Sequence, residues 1–164
     1  MTMASGTLSK IPNGKPGTVA TLKVMKDQVQ RWKKHLPLRQ LALTLVDGRP
    51  QKDYIGEVRK IHAFVRDRIR YVKDIRGVET IQTPMKTLEI RQGDCDDLSL
   101  LTATLLETLG HPTRFVAIGF LPNKFSHVYV ETKIKDKWYP LETTEPWPLG
   151  KSPKDYITRL TIKN

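Results

Sequence analysis

Residues 91–110 read RQGDCDDLSLLTATLLETLG, and the rest of the chain is organised around them. Leu98, Leu101, Leu105 and Leu109 recur at helical spacing and predict a helix with one buried stripe. Asp94 stands where an N-cap belongs and Asp97 follows three residues later, a short form of the capping box. Gly110 and then Pro112 supply the stop. The only cysteine, Cys95, therefore opens a helix, where unpaired backbone N–H groups and the positive end of the dipole favour a thiolate. The adjoining aspartates oppose that effect, so a reactive thiol here needs a basic partner from elsewhere in the chain.

Upstream, residues 1–20 are rich in Gly, Pro, Ser and Thr and are expected to be flexible, leaving 21–164 as one domain. Leu22, Met25, Val29, Trp32 and Leu36 mark one face of a helix that Pro37 ends. A short helix is expected over 38–46, a turn over 47–50, and a longer helix over about 53–72 on Ile55, Val58, Ile61, Val65 and Val72. GVETIQTPMKTLEIRQG (77–93) reads as a loop delivering the chain to Cys95.

Downstream the period changes. TRFVAIGF (113–120), HVYVETKI (127–134) and KWYPLE (137–142) are rich in β-branched and aromatic residues, with a tight hairpin at 135–137. After Pro146, Pro148, Gly150 and Pro153 the chain closes on a last short strand or helix at 156–162. Helices first and antiparallel strands later make an α+β arrangement.

Composition sets the bounds. A chain of 164 residues is long enough for one proper core. One cysteine excludes an internal disulfide, and no CxxC pair is present for a structural zinc. No apolar run has the length of a membrane span, and the first twenty residues lack the apolar core of a signal peptide, so a cytoplasmic location is expected. Neither a cofactor nor a metal is expected: Asp94, Asp96 and Asp97 lack the spacing and glycine of a calcium loop, and capping is their expected job. The net charge is +11, of which +7 lies in residues 1–50, where nine Lys/Arg face only Asp27 and Asp47. Such a surface can draw nucleic acid or an acidic partner. No aromatic RNA-binding signature accompanies it, and a solvated basic face is the default.

The chemistry follows from the hairpin. His127 opens one strand and Glu142 ends the next; a hairpin centred near Asp136 sets residues near 127 opposite residues near 144. Glu142 then reaches the imidazole. Thiol, base and orienting acid are the parts that make a thiolate, pass its proton to a leaving group and hold the base in the right tautomer. The Cys95 N–H is the natural first donor of an oxyanion hole, and Gln82 is the guess for the second. His62, on a helix surface, and His111, in a loop after a helix, are background histidines; Tyr71 and Trp138 are core.

The series IRYVKD, TP, GDCDDLSLL, LGHPTRFV, SHVYVE and WYPLETT resembles the transglutaminase-like superfamily over residues 54–145, closest to small bacterial and phage or prophage members. The resemblance implies a papain-like core in which N-terminal helices and the cysteine helix pack on an antiparallel sheet. It implies Cys95 as nucleophile, His127 as base and Glu142 as orienting acid, with Glu145 as the fallback. The family usually has Asp at the third place, one methylene shorter. The implied activity is acyl transfer on an amide of a protein or peptide substrate, by hydrolysis as a peptidase or amidase. Transfer to an amine, which crosslinks proteins, is the alternative. A phage origin would add cell-wall peptide as substrate and association with the virion. The rival expectation, from a different class, is a non-catalytic binding or virion-assembly module that uses the basic surface.

Overall fold

In the computed structural model, which describes residues 6–7, 14–73 and 80–164, the cysteine helix is the centre of the molecule. The chain runs β1 (Gly6–Thr7), α1 (Lys15–Trp32), α2 (Leu36–Leu45), α3 (Tyr54–Arg68), β2 (Arg70–Tyr71) and β3 (Thr80–Ile81). It continues through α4 (Pro84–Ile90), β4 (Gln92–Gly93), α5 (Cys95–Thr108), β5 (Thr113–Gly119), β6 (His127–Ile134), β7 (Lys137–Leu141) and β8 (Thr158–Lys163). Helices α1 to α4 surround α5 on one side, and β5 and β6 cover it on the other. The main sheet is antiparallel in the order β7-β6-β5-β8. This is the expected α+β arrangement.

Strand alternation gives the sheet two buried faces. Phe115, Ala117, Val128 and Val130 join the core around α5, while Val116, Ile118 and Tyr129 form a second cluster with Tyr156. The hairpin pairs Ile134 with Lys137 and Val130 with Leu141, the register that sets 127 across from 144.

Three expectations are corrected. Helix α5 is buried on every side, with Ser99, Thr102, Thr104 and Thr108 as hidden as its leucines. Its hydroxyls need no water: Thr102 and Thr104 donate to the carbonyls of Leu98 and Leu100 at 2.7 Å, and Thr108 to that of Lys33. Second, α1 starts at Lys15, so residues 15–20 are helix rather than loose chain, with Pro16 in its first turn. Residues 1–5 and 8–13 lie outside the described residues, as do 77–79 of the expected loop.

Third, residues 80–93 are not one loop. Thr83 caps α4 by accepting from the Lys86 N–H at 3.1 Å, and Pro84 fixes the first turn. Helix α3 stops at Arg68 because the backbone beyond it pairs elsewhere: Arg70 N donates to Arg91 O, and Val72 N to Gly93 O. That parallel pairing of β2 with β4 puts Tyr71 beside Gly93, two residues before the cysteine.

Candidate active site

Cys95 is the first residue of α5, and the capping box that starts the helix is complete. Asp94 accepts from the Asp97 N–H at 3.0 Å and Asp97 accepts from the Asp94 N–H at 3.1 Å. Asp97 is buried and does more than cap: its two oxygens also accept from the backbone N–H and the side-chain amide of Gln82, at 2.8 and 3.0 Å. Burial and the Asp94 carboxylate push its pKa up to about 7, against the pull of the backbone donors. The approach is close enough to require glycine at 93, since a Cβ there would lie 2.6 Å from Asp97 Cβ. Gln82 is thereby tied to the cysteine helix, a use that competes with donating to an oxyanion.

The thiol itself is half-buried, with its sulfur 3.9 Å from Asp96 Oδ1. Burial pushes the Cys95 pKa well above its ordinary value, and the Asp96, Asp94 and Glu142 carboxylates add to this. The Val128 backbone N–H, which faces the sulfur, works the other way. Cys95 is therefore a neutral thiol at rest. Ser99, one turn along α5, donates to the Val128 carbonyl at 3.2 Å, so both backbone groups of Val128 face the cysteine helix.

His127 precedes Val128, and its Nε2 lies 2.6 Å from Glu142 Oε2. Glu142 is 1% exposed, and its other oxygen accepts from the Thr144 N–H and hydroxyl at 3.0 and 2.8 Å. Burial alone would raise this carboxyl, but the bond and charge of His127 and the Thr144 donors outweigh it and hold the pKa below the ordinary value. The extra methylene of glutamate is thus taken up with a short contact. Glu145, the fallback, is exposed and makes no bond to His127.

One participant escaped the sequence. His62 is 1% exposed, not on a helix surface, and its Nε2–H donates to the Glu142 carbonyl at 2.6 Å. Burial lowers its pKa, so the ring is neutral and acts as a fixed donor from α3 to the acid. The five-residue spacing from the Arg66–Asp67 end of α3 carries no signature; only the buried Val58–Ile61–Val65 stripe beside it hinted at the face. His111 binds Glu57 at 2.9 Å, away from the site. Tyr71 is exposed rather than core, and Trp138 is half-buried under Arg114, whose guanidinium lies 4.2 Å from the ring centre. Among the described residues no group of three His, Cys, Asp or Glu is placed to hold a metal, and no helix is long and apolar enough to cross a membrane.

The structure thus brings His127 and Glu142 into contact and sets Cys95 on the neighbouring Val128 backbone, on a helix packed against an antiparallel sheet. Solved structures share this fold. A candidate protease from Parabacteroides distasonis superposes with a TM-score of 0.63 at 15% identity, covering 79% of this chain and 26% of the other. A candidate cysteine protease from Cytophaga hutchinsonii gives 0.56 at 18% identity, covering 86% and 52%. LapG of Legionella pneumophila gives 0.51 at 15% identity, covering 74% and 73%. The chain spans about a quarter and about half of the first two. A comparison with curated proteins finds no match. The family model described as the transglutaminase-like superfamily matches residues 39–143, and with both the cysteine motif and the histidine–acid hairpin inside that span, the chain belongs to the transglutaminase-like superfamily.

Proposed function

We propose that the protein is a cysteine-dependent acyl-transfer enzyme that hydrolyses an amide bond of a protein or peptide. The observation that carries this reading is the 2.6 Å pair of His127 with a buried Glu142, next to the Val128 N–H that meets the Cys95 sulfur. Because Nε2 is committed to Glu142, the nitrogen left to take the thiol proton is Nδ1. The acidic surroundings of Cys95 keep that proton in place at rest, so its transfer accompanies attack rather than preceding it.

In this mechanism the sulfur bonds to the amide carbon while His127 takes the thiol proton. His127 then gives that proton to the departing nitrogen, the C–N bond breaks, and an acyl-thioester remains on Cys95. Water attacks the thioester as His127 takes one of its protons; the C–S bond breaks and the proton returns to sulfur. An amine in place of water would give crosslinking. In this reading the backbone N–H of Cys95 is an oxyanion donor, supported by a capping box that uses the N–H groups of Asp94 and Asp97 instead. The short His127–Glu142 contact weighs against the non-catalytic alternative, since the longer glutamate still reaches the imidazole.

The test is the pH dependence of Cys95 alkylation by iodoacetamide in the wild type and in His127→Ala. With His127 withdrawing the proton as the sulfur attacks, the wild type is alkylated at a pH well below the free-thiol pKa of about 8.5 although its resting thiol is neutral. His127→Ala shifts the profile above that value, as expected for an isolated buried thiol among aspartates. Superimposable profiles would overturn the proposal.

A further inference from the structure

Beside the site lies a cleft of about 390 Å³. Its walls are the C-terminal end of α3, β2, Arg91 and the turn after Glu142. Four arginines line it, Arg66, Arg68, Arg70 and Arg91, against two carboxylates, Asp67 and Glu145. Asp67 is already taken: Arg66 grips it with two bonds, at 2.7 and 2.9 Å. Arg68, Arg70 and Arg91 are exposed, and no side-chain hydrogen bond or ion pair engages them among the described residues. The cleft therefore keeps an excess of positive charge with Glu145 as its one uncommitted acid.

Its position ties it to the site. Thr144 lines the cleft and also donates to Glu142. Tyr71, on the opposite wall, is in register with Gly93, two residues before Cys95. Arg70 and Arg91 are adjoined through the backbone, Arg70 N donating to Arg91 O at 2.9 Å. Arg91 also sits in the left-handed region, at φ 56° and ψ 35°, as the C-cap of α4. Glycine is the residue suited to that place, so the fold carries an arginine side chain there against its backbone preference.

We infer that this cleft is a subsite for a carboxylate of the peptide substrate, bound by the Arg70 and Arg91 guanidinium groups. Two planar forks on one wall match the geometry of a carboxylate. Asp94 and Asp96, flanking the thiol, disfavour the same group at the scissile bond itself. A peptide is thus oriented by charge, its carboxylate on the arginine side of the scissile bond. This rests on the acyl-transfer reading, and the carboxylate comes either from an Asp or Glu side chain or from the chain end.

The experiment uses Cys95→Ala, so that binding is read without turnover. Three pentapeptides are titrated at low salt: a blocked one with a central Glu, the same with Gln, and the Gln peptide with a free C-terminal carboxylate. Binding is followed by the backbone amide shifts of Arg70, Tyr71, Arg91 and Thr144. At least one carboxylate peptide is expected to bind roughly tenfold tighter than the neutral one, a preference that salt weakens. Which one does so identifies the source. Arg91→Gly should remove most of the preference while leaving the melting temperature unchanged or higher, because glycine suits the left-handed backbone. Equal binding of all three peptides, or a preference that survives Arg70→Gln combined with Arg91→Gly, would overturn the inference. A preference found alongside identical alkylation profiles of wild type and His127→Ala would instead leave the subsite standing and remove the catalysis.

Discussion

Glu142 is held at four points: His127 and Thr144 take its carboxylate, and His62 takes its carbonyl. Glu142→Gln keeps the shape but offers His127 the wrong partner for tautomer control, and a loss of about 10³–10⁴-fold in turnover is expected with the fold intact. Rates of Cys95 acylation measured beside far-UV circular dichroism separate the two effects. His62 gives a second, independent signal. Its folded pKa lies below the ordinary 6.5, so the unfolded chain takes a proton first as the pH falls. The stability it contributes is present above pH 6.5 and is lost as the pH falls through the folded value. Glu142, also depressed, contributes in a lower window, below its ordinary 4.5. Wild type should therefore lose urea resistance relative to His62→Gln between about pH 7 and pH 5. Midpoints that move in parallel would show that His62 is not the titrating group. The His127–Glu142 contact and the place of Cys95 at the start of α5 were legible because each residue lies in a short motif and the hairpin register is local. His62 was not, since its partner is 80 residues away.

The elements that read correctly were those with a clear period and local turn chemistry, such as β5, β6 and β7. Helix α5 read correctly in extent but not in burial, because threonines that bond back to their own helix look polar in a sequence and behave as apolar in a core. That difference is measurable. Leu105→Ala should cost about 2–5 kcal/mol by leaving a cavity between helices and sheet. Thr104→Val should cost about 1 kcal/mol or less, since the Leu100 carbonyl keeps its helical partner. Chemical denaturation gives both numbers; a Thr104→Val cost as large as that of Leu105→Ala would show that the hydroxyl has a further duty. Helix α4 went unread although Thr83-Pro84 is an N-cap followed by a first-turn proline, because seven residues are too few to display a period.

At the scale of the whole molecule, the family's span of 39–143 is not the folded unit. Helix α1 packs on α5 from one side of that span, and β8 pairs along the full length of β5 from the other. Leu160 and Ile162 of β8 pack against the main core. Deleting residues 158–164 should uncover the β5 edge, remove that packing and abolish a cooperative unfolding transition by calorimetry. A truncated chain that still melts sharply would mean that β8 is dispensable. Beyond stability, the two-layer arrangement governs rate. The proposed nucleophile belongs to the helical layer and its base to the sheet, and the two meet through Val128. Their separation is therefore set by how deeply the layers interlock, and a misplacement of about 1 Å can cost 10²-fold. Substitutions in the interior, far from any substrate, would tune catalysis like a screw adjusting the gap of a spark plug, well before they loosened the fold.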